Sequence, residues 1–137
     1  MAAGSYSFTI EQGTTTDFEL VYKDSSGNPI DLTGYNARMQ LKDSIGGSST
    51  YLTLSSSLQS DGTGLNLSGS GGNQASKPTT SGSIGVFISH TTSSNLSFSS
   101  AVYDLEIVSG SGIGTVVTRL IQGKVNLSKE VTTGDSY

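Results

Sequence analysis

His90 and two pairs of alternating carboxylates, Asp17/Glu19 and Asp104/Glu106, are the residues in this sequence whose types and spacing could do chemistry. Residues two apart on a strand share a face, so each acidic pair would present both carboxylates together. Paired carboxylates can divide acid and base work in glycoside hydrolysis, or they can hold calcium. A simpler expectation competes with both. Each pair is interleaved with an apolar set, Phe18/Leu20/Tyr22 or Tyr103/Leu105/Ile107, which puts the carboxylates on the wet side of a half-buried strand. His90 follows "SIGVFIS", where a strand ends. One histidine makes no metal cluster without carboxylate partners. Serine is abundant, so a Ser–His–Asp grouping carries no information without a G-x-S-x-G elbow, which the sequence lacks.

The glycine-rich stretches point away from catalysis as well. "GSGIG" at 110–114 precedes the strand-like "TVVTRLI" and not a helix, so it reads as a hairpin turn and not as a phosphate cradle. "GK" at 123–124 lacks the rest of a P-loop, and "SDGTG" at 60–64 is too poor in acids for an EF-hand. Tryptophan is absent, which leaves Tyr35 and Tyr51 as the exposed aromatics that could stack on a sugar; both are better explained as packed or interfacial. No catalytic residue, metal ligand or cofactor is expected, and the chain reads as a non-enzyme.

The elements that would position these residues are strands. Tyr6/Phe8/Ile10 and Phe18/Leu20/Tyr22 alternate with polar residues, and the two runs could pair as a hairpin around 12–16. "KDSSGNPI" is a turn in which Gly27 and Asn28 tolerate positive φ. Ala37, Met39 and Leu41 lie opposite Arg38, Gln40 and Lys42, so the basic side is wet or meets a polar partner. "YLTL" at 51–54 and "LNL" at 65–67 are short strands, and 83–90 suits a central one. "TTSSNLS" makes one helical turn capped by Thr91 or Thr92. The last strand, 116–127, is the longest, with a bulge or bend allowed at Gly123. The Gly/Ser-rich stretch 68–83 is a flexible loop, either merely mobile or a contact arm ordered by a neighbour.

The chain of 137 residues fits one domain, 1–137, with 33% hydrophobic and 13% charged residues. Seven scattered Lys and Arg against a net charge of −4 predict no basic patch, which disfavours nucleic acid and anionic membrane. Without cysteine there is no disulfide. "MAAGSYSFTI" has no basic region followed by an apolar run, and no apolar stretch reaches the roughly 18 residues of a membrane helix. The chain therefore reads as soluble and made in the cytosol. Strands recur with turns between them and no 3.6-residue apolar period is sustained. The predicted fold is all-β, an antiparallel β-sandwich (Ig-like or jelly-roll-like) of seven or eight strands, with a closed β-barrel as the alternative.

Two segments carry a resemblance. "FELVYKDSSGNPIDLTGYNARMQLKD" and "AVYDLEIVSGSGIGTVVTRLIQGKVNLSKEVT" resemble segments of small structural proteins of tailed bacteriophages. These include the N-terminal domain of baseplate upper proteins and related neck, tail and head-associated proteins. The likeness covers residues 17–43 and 101–132. It implies a β-sandwich that docks on a virion at the tail, neck or baseplate, touching other virion proteins and copies of itself. A capsid decoration protein on the head is the alternative, and a carbohydrate-binding or adhesion module the second. The resemblance carries over no catalytic residue. Asp31, Leu32, Gly34 and Tyr35 are the expected corner, fold residues first and interface residues second. Val116, Thr118 and Leu120 are expected on an edge strand that could extend a neighbour's sheet.

Overall fold

The alternating segments become strands because each can bury one side and wet the other. The computed structural model describes residues 4–67, 78–109 and 114–131. Among these the strands are β1 (Gly4–Ser5), β2 (Phe8–Glu11), β3 (Thr16–Val21), β4 (Asn36–Lys42), β5 (Thr50–Ser55), β6 (Gly64–Asn66), β7 (Ser83–Ile88), β8 (Ser100–Ser109) and β9 (Val116–Ser128). The described elements also include a 3-10 turn, Thr79–Ser81, and the helix α1 (His90–Ser94). The strands form two sheets. The larger has the order β1-β9-β8-β4-β5, with β2 also paired to β9; the smaller has the order β3-β7-β6. The chain is all-β. Its larger sheet runs out at β5 and does not close, so the barrel alternative is corrected.

Pairing is mixed, which departs from the antiparallel expectation. β1 and β2 both run parallel to β9, with Gly4 opposite Ile121 and Phe8 opposite Val125. β3 joins the other sheet, antiparallel to β7, with Phe18 opposite Val86. The hairpin expected around 12–16 therefore does not form. The turn there, where Thr14 N–H donates to the Glu11 carbonyl at 3.0 Å, carries the chain from one sheet to the other. Phe8 thereby meets the Phe18 ring from the opposite sheet, with centroids 5.0 Å apart, instead of lying beside it in one sheet.

One apolar cluster joins the sheets. Met39, Leu41, Leu54, Leu105 and Val125 come from the larger sheet, and Leu65, Ile84, Val86 and Ile88 from the smaller. Phe8 connects them, 5.0 Å from the Phe18 ring and 5.3 Å from the Tyr103 ring. Offset or tilted aromatic contacts of this kind add about 0.5–1.5 kcal/mol beyond burial.

β9 differs from its expectation in two ways. It is not an edge strand overall, because β8 lies on one side and β1 and β2 on the other. Only Val116–Leu120 have no second neighbour among the described residues. The bulge also falls elsewhere. Leu105 faces Ile121 and Glu106 faces Arg119, so Leu120 is the extra residue. Gly123 has another task. It faces Tyr103 across the ladder, and the Tyr103 hydroxyl donates to the Tyr6 carbonyl on the far side of β9. A Cβ at Gly123 would collide with that carbonyl. Glycine is required there by the close approach of a neighbouring strand.

The cap of α1 is Ser89, not Thr91 or Thr92. Its backbone is extended, and its Oγ accepts from Thr92 N–H at 3.1 Å. In the turn after β3, only Gly27 adopts positive φ; Asn28 does not.

Candidate functional site

The expected corner is built from local hydrogen bonds. Asp31 Oδ1 accepts from Thr33 N–H at 2.9 Å, and the Thr33 side chain first, with this backbone bond second, holds the Asp31 carboxyl below its ordinary range. Tyr35 N–H donates to the Leu32 carbonyl at 3.0 Å, and Gly34 between them takes a φ of +83°, a region that glycine enters without steric cost. Leu32 N–H reaches the Thr79 carbonyl at 2.9 Å, and the Thr33 and Thr79 hydroxyls are 2.7 Å apart. Leu32 is fully buried, and Tyr35 is half-buried against the core. Asp31 stays exposed. These four residues fix the entry into β4.

The other expected residues are dispersed. His90 opens α1 and is exposed; Asp17 and Glu19 lie on β3 in the smaller sheet, and Asp104 and Glu106 on β8 in the larger. Tyr51 stacks on the buried Phe98, with ring centroids 4.8 Å apart, so much of its face is used in packing. Val116 and Val117 are exposed at the start of β9, while Thr118 and Leu120 are half-buried. Most of the 68–83 loop and most of "GSGIG" lie outside the described residues. Among the described residues there is no group of His, Cys, Asp or Glu fit to hold a metal, and no helix is long and apolar enough to cross a membrane.

What register does assemble is a polar trough on the outer face of the larger sheet. Arg38, Glu106 and Arg119 form one row across β4, β8 and β9. Gln40, Asp104 and Gln122 form the next, continued by Thr53 on β5. Lys42, Val102 and Lys124 form the third. The β4–β5 turn at Ser44 to Gly46 walls one end, and the half-open trough has a volume of about 660 Å³. Four of the chain's seven Lys and Arg side chains line this trough, against two carboxylates. Residues far apart in sequence are neighbours across strands, so the lining holds more cations than carboxylates on a chain of charge −4, although both arginines are ion-paired.

The acids in the trough are used as ion-pair partners. Arg38 Nε donates to Glu106 Oε1 at 2.8 Å; Arg119 lies 3.3 Å from Asp104 Oδ2 and 3.9 Å from Glu106 Oε2. Glu106 thus bridges two guanidinium groups that face each other across β8. Exposed pairs are individually weak, but removing the shared acid leaves like charges flanking one position. Glu106→Ala is expected to lower stability by about 1 kcal/mol, more than Arg38→Ala, measured by urea unfolding of the two variants.

Sequence reasoning also passed over Asp61. Its Oδ2 accepts from Ser89 Oγ at 2.6 Å and Thr92 Oγ1 at 2.9 Å, and its Oδ1 accepts from Thr63 N–H at 2.9 Å. This ties the β5–β6 connection to the start of α1. The hydrogen bonds, that of Ser89 foremost, hold the Asp61 carboxyl far below its ordinary range. A carboxyl depressed in the folded state stabilises above its unfolded pKa of about 4 and loses that effect as pH falls through the folded value. Asp61→Ala should therefore lower the melting temperature at pH 7, and the gap to the parent protein should narrow as pH is taken below about 4. A gap independent of pH would exclude the carboxylate as the cause. The "SDGTG" turn pattern was the available signal, since Asp before Gly often bonds nearby backbone.

No protein-family model matches the chain, and no curated protein matches it.

Proposed function

We propose that this chain is a non-enzymatic structural component of a tailed-phage virion, with a place at the tail, neck or baseplate. In this reading its two sheets are the layers of an Ig-like or jelly-roll-like β-sandwich that docks through strand edges and loops onto other virion proteins and copies of itself. One observation carries the proposal. The two segments that resemble phage structural proteins, 17–43 and 101–132, are distant in sequence yet contribute adjacent strands, β4, β8 and β9, to the larger sheet. Open edges suited to strand addition exist at β5 and along Val116–Leu120 among the described residues.

The test is immunogold labelling of phage particles from the source of this sequence, with an antibody to the chain. Gold in small numbers at the tail end or neck is expected. Labelling spread over the head would replace this placement with capsid decoration. Particles negative by labelling, and by blot after denaturation, would overturn the virion reading.

A further inference from the structure

We infer that the trough on the larger sheet is a binding site for an acidic saccharide, its carboxylate held between Lys42 and Lys124. The site does not depend on the virion reading, since it is argued from the trough alone. Lys42 and Lys124 occupy one row, separated by Val102 on β8. Their backbones are two strand spacings apart, roughly 10 Å, a gap that two lysine side chains can close on one anion from either side. The two arginines of the trough are engaged by Glu106 and Asp104, but neither lysine has an ion-pair partner among the described residues. The positive charge is thus uncommitted at one end and neutralised at the other.

The remainder of the trough favours hydroxyl groups. Gln40, Asp104 and Gln122 make the middle row, Asp104 being paired to Arg119 at 3.3 Å, with Thr53 beside Gln40, and Ser5 and Ser44 also line the walls. A side-chain amide donates and accepts, as a sugar hydroxyl does. Rows two residues apart along the strands are roughly 7 Å apart, so the trough is about 14 Å long from the lysines to the arginines. With a volume near 660 Å³ it falls within the usual range for small-ligand sites. An acidic polypeptide satisfies the charge equally but fits less well. The trough lies on the face of the sheet, where side chains project, and the unpaired backbone groups at the β5 and Val116–Leu120 edges lie in the plane of the sheet, so an extended peptide lying across the face would find no main-chain partners there. Tyr35 and Tyr51 lie outside this site.

The test titrates the ¹⁵N-labelled chain with tri-galacturonate, neutral galactotriose and a triglutamate peptide in low-salt buffer. Expected are saturable shifts from tri-galacturonate at the side-chain amides of Gln40 and Gln122 and at the backbone amides of Lys42, Val102 and Lys124, with far weaker response to galactotriose and triglutamate. Lys42→Gln with Lys124→Gln should weaken the affinity about tenfold or more, while Lys42→Arg with Lys124→Arg should retain most of it, because charge is the determinant. Lys124 is exposed and Lys42 half-buried at the end of β4, and an otherwise unaltered spectrum verifies the fold. Three results would overturn the assignment: no saturable shift with tri-galacturonate, equal binding of the neutral sugar, or a triglutamate response as strong as that of the acidic sugar. The last would assign the trough to an acidic polypeptide.

Discussion

Leu32→Ala is expected to lower the unfolding free energy by about 2–5 kcal/mol, the range found when a large aliphatic side chain is removed from a packed interior. Leu32 has no solvent exposure. Its backbone is committed on both sides: the N–H donates to Thr79, and the carbonyl accepts from Tyr35. The corner therefore cannot shift easily to fill the cavity. Asp31 next to it is exposed and its carboxylate bonds only within the turn, to Thr33, so Asp31→Ala should lower the midpoint less than Leu32→Ala. Urea unfolding reads both, through a lower midpoint at unchanged slope. If Leu32→Ala left the midpoint in place while impairing assembly, the corner would be an interface and not a fold element.

Gly123→Val should be comparably damaging, by about 3 kcal/mol, through overpacking between strands. The added side chain meets the Tyr6 carbonyl, a backbone atom that cannot swing away as a side-chain tip would. β1 and β2 must then move off β9. Hydrogen exchange distinguishes this from general unfolding. Tyr6 N–H, bonded to Gln122 at 3.1 Å, and Gln12 N–H, bonded to Ser128 at 2.8 Å, should lose protection first, while β4 and β8 amides keep theirs. Loss of protection everywhere in equal measure would contradict the local account. The Tyr103 hydroxyl supplies a second readout. Burial, and to a lesser degree the nearby Tyr6, push its ionisation up to about 12. A raised value for a phenol favours the neutral form in the folded state. Its contribution is therefore complete below the ordinary value of about 10 and is lost as pH rises through the folded one. In Gly123→Val, Tyr103 should ionise closer to the ordinary range.

These two sites show what each level of description can supply. The corner was legible in "DLTG" only in its local part: the Asp31 bond to Thr33 and the glycine at the turn are met within five residues, whereas the bond from Leu32 N–H to Thr79 and the burial of Leu32 depend on distant segments. Gly123 was noticed as a break in a strand, but its reason lay in Tyr6, more than a hundred residues away. The helix cap moved to Ser89 for a local reason that the threonine-rich run obscured, since several hydroxyl residues in succession can cap equally well.

Period-two alternation determined most of the strand positions and which side chains share a face, because the pleat of a single strand imposes that period without reference to any neighbour. It placed Arg38, Gln40 and Lys42 together, and Asp104 with Glu106. It could not place those sets against each other, nor send β1 and β2 parallel to β9, nor make β9 an interior strand, nor gather four cations on one face of an acidic chain. Those outcomes depend on which strands pair and in what register. That choice is made by burial of the whole apolar set at once, and only the tertiary structure decides it.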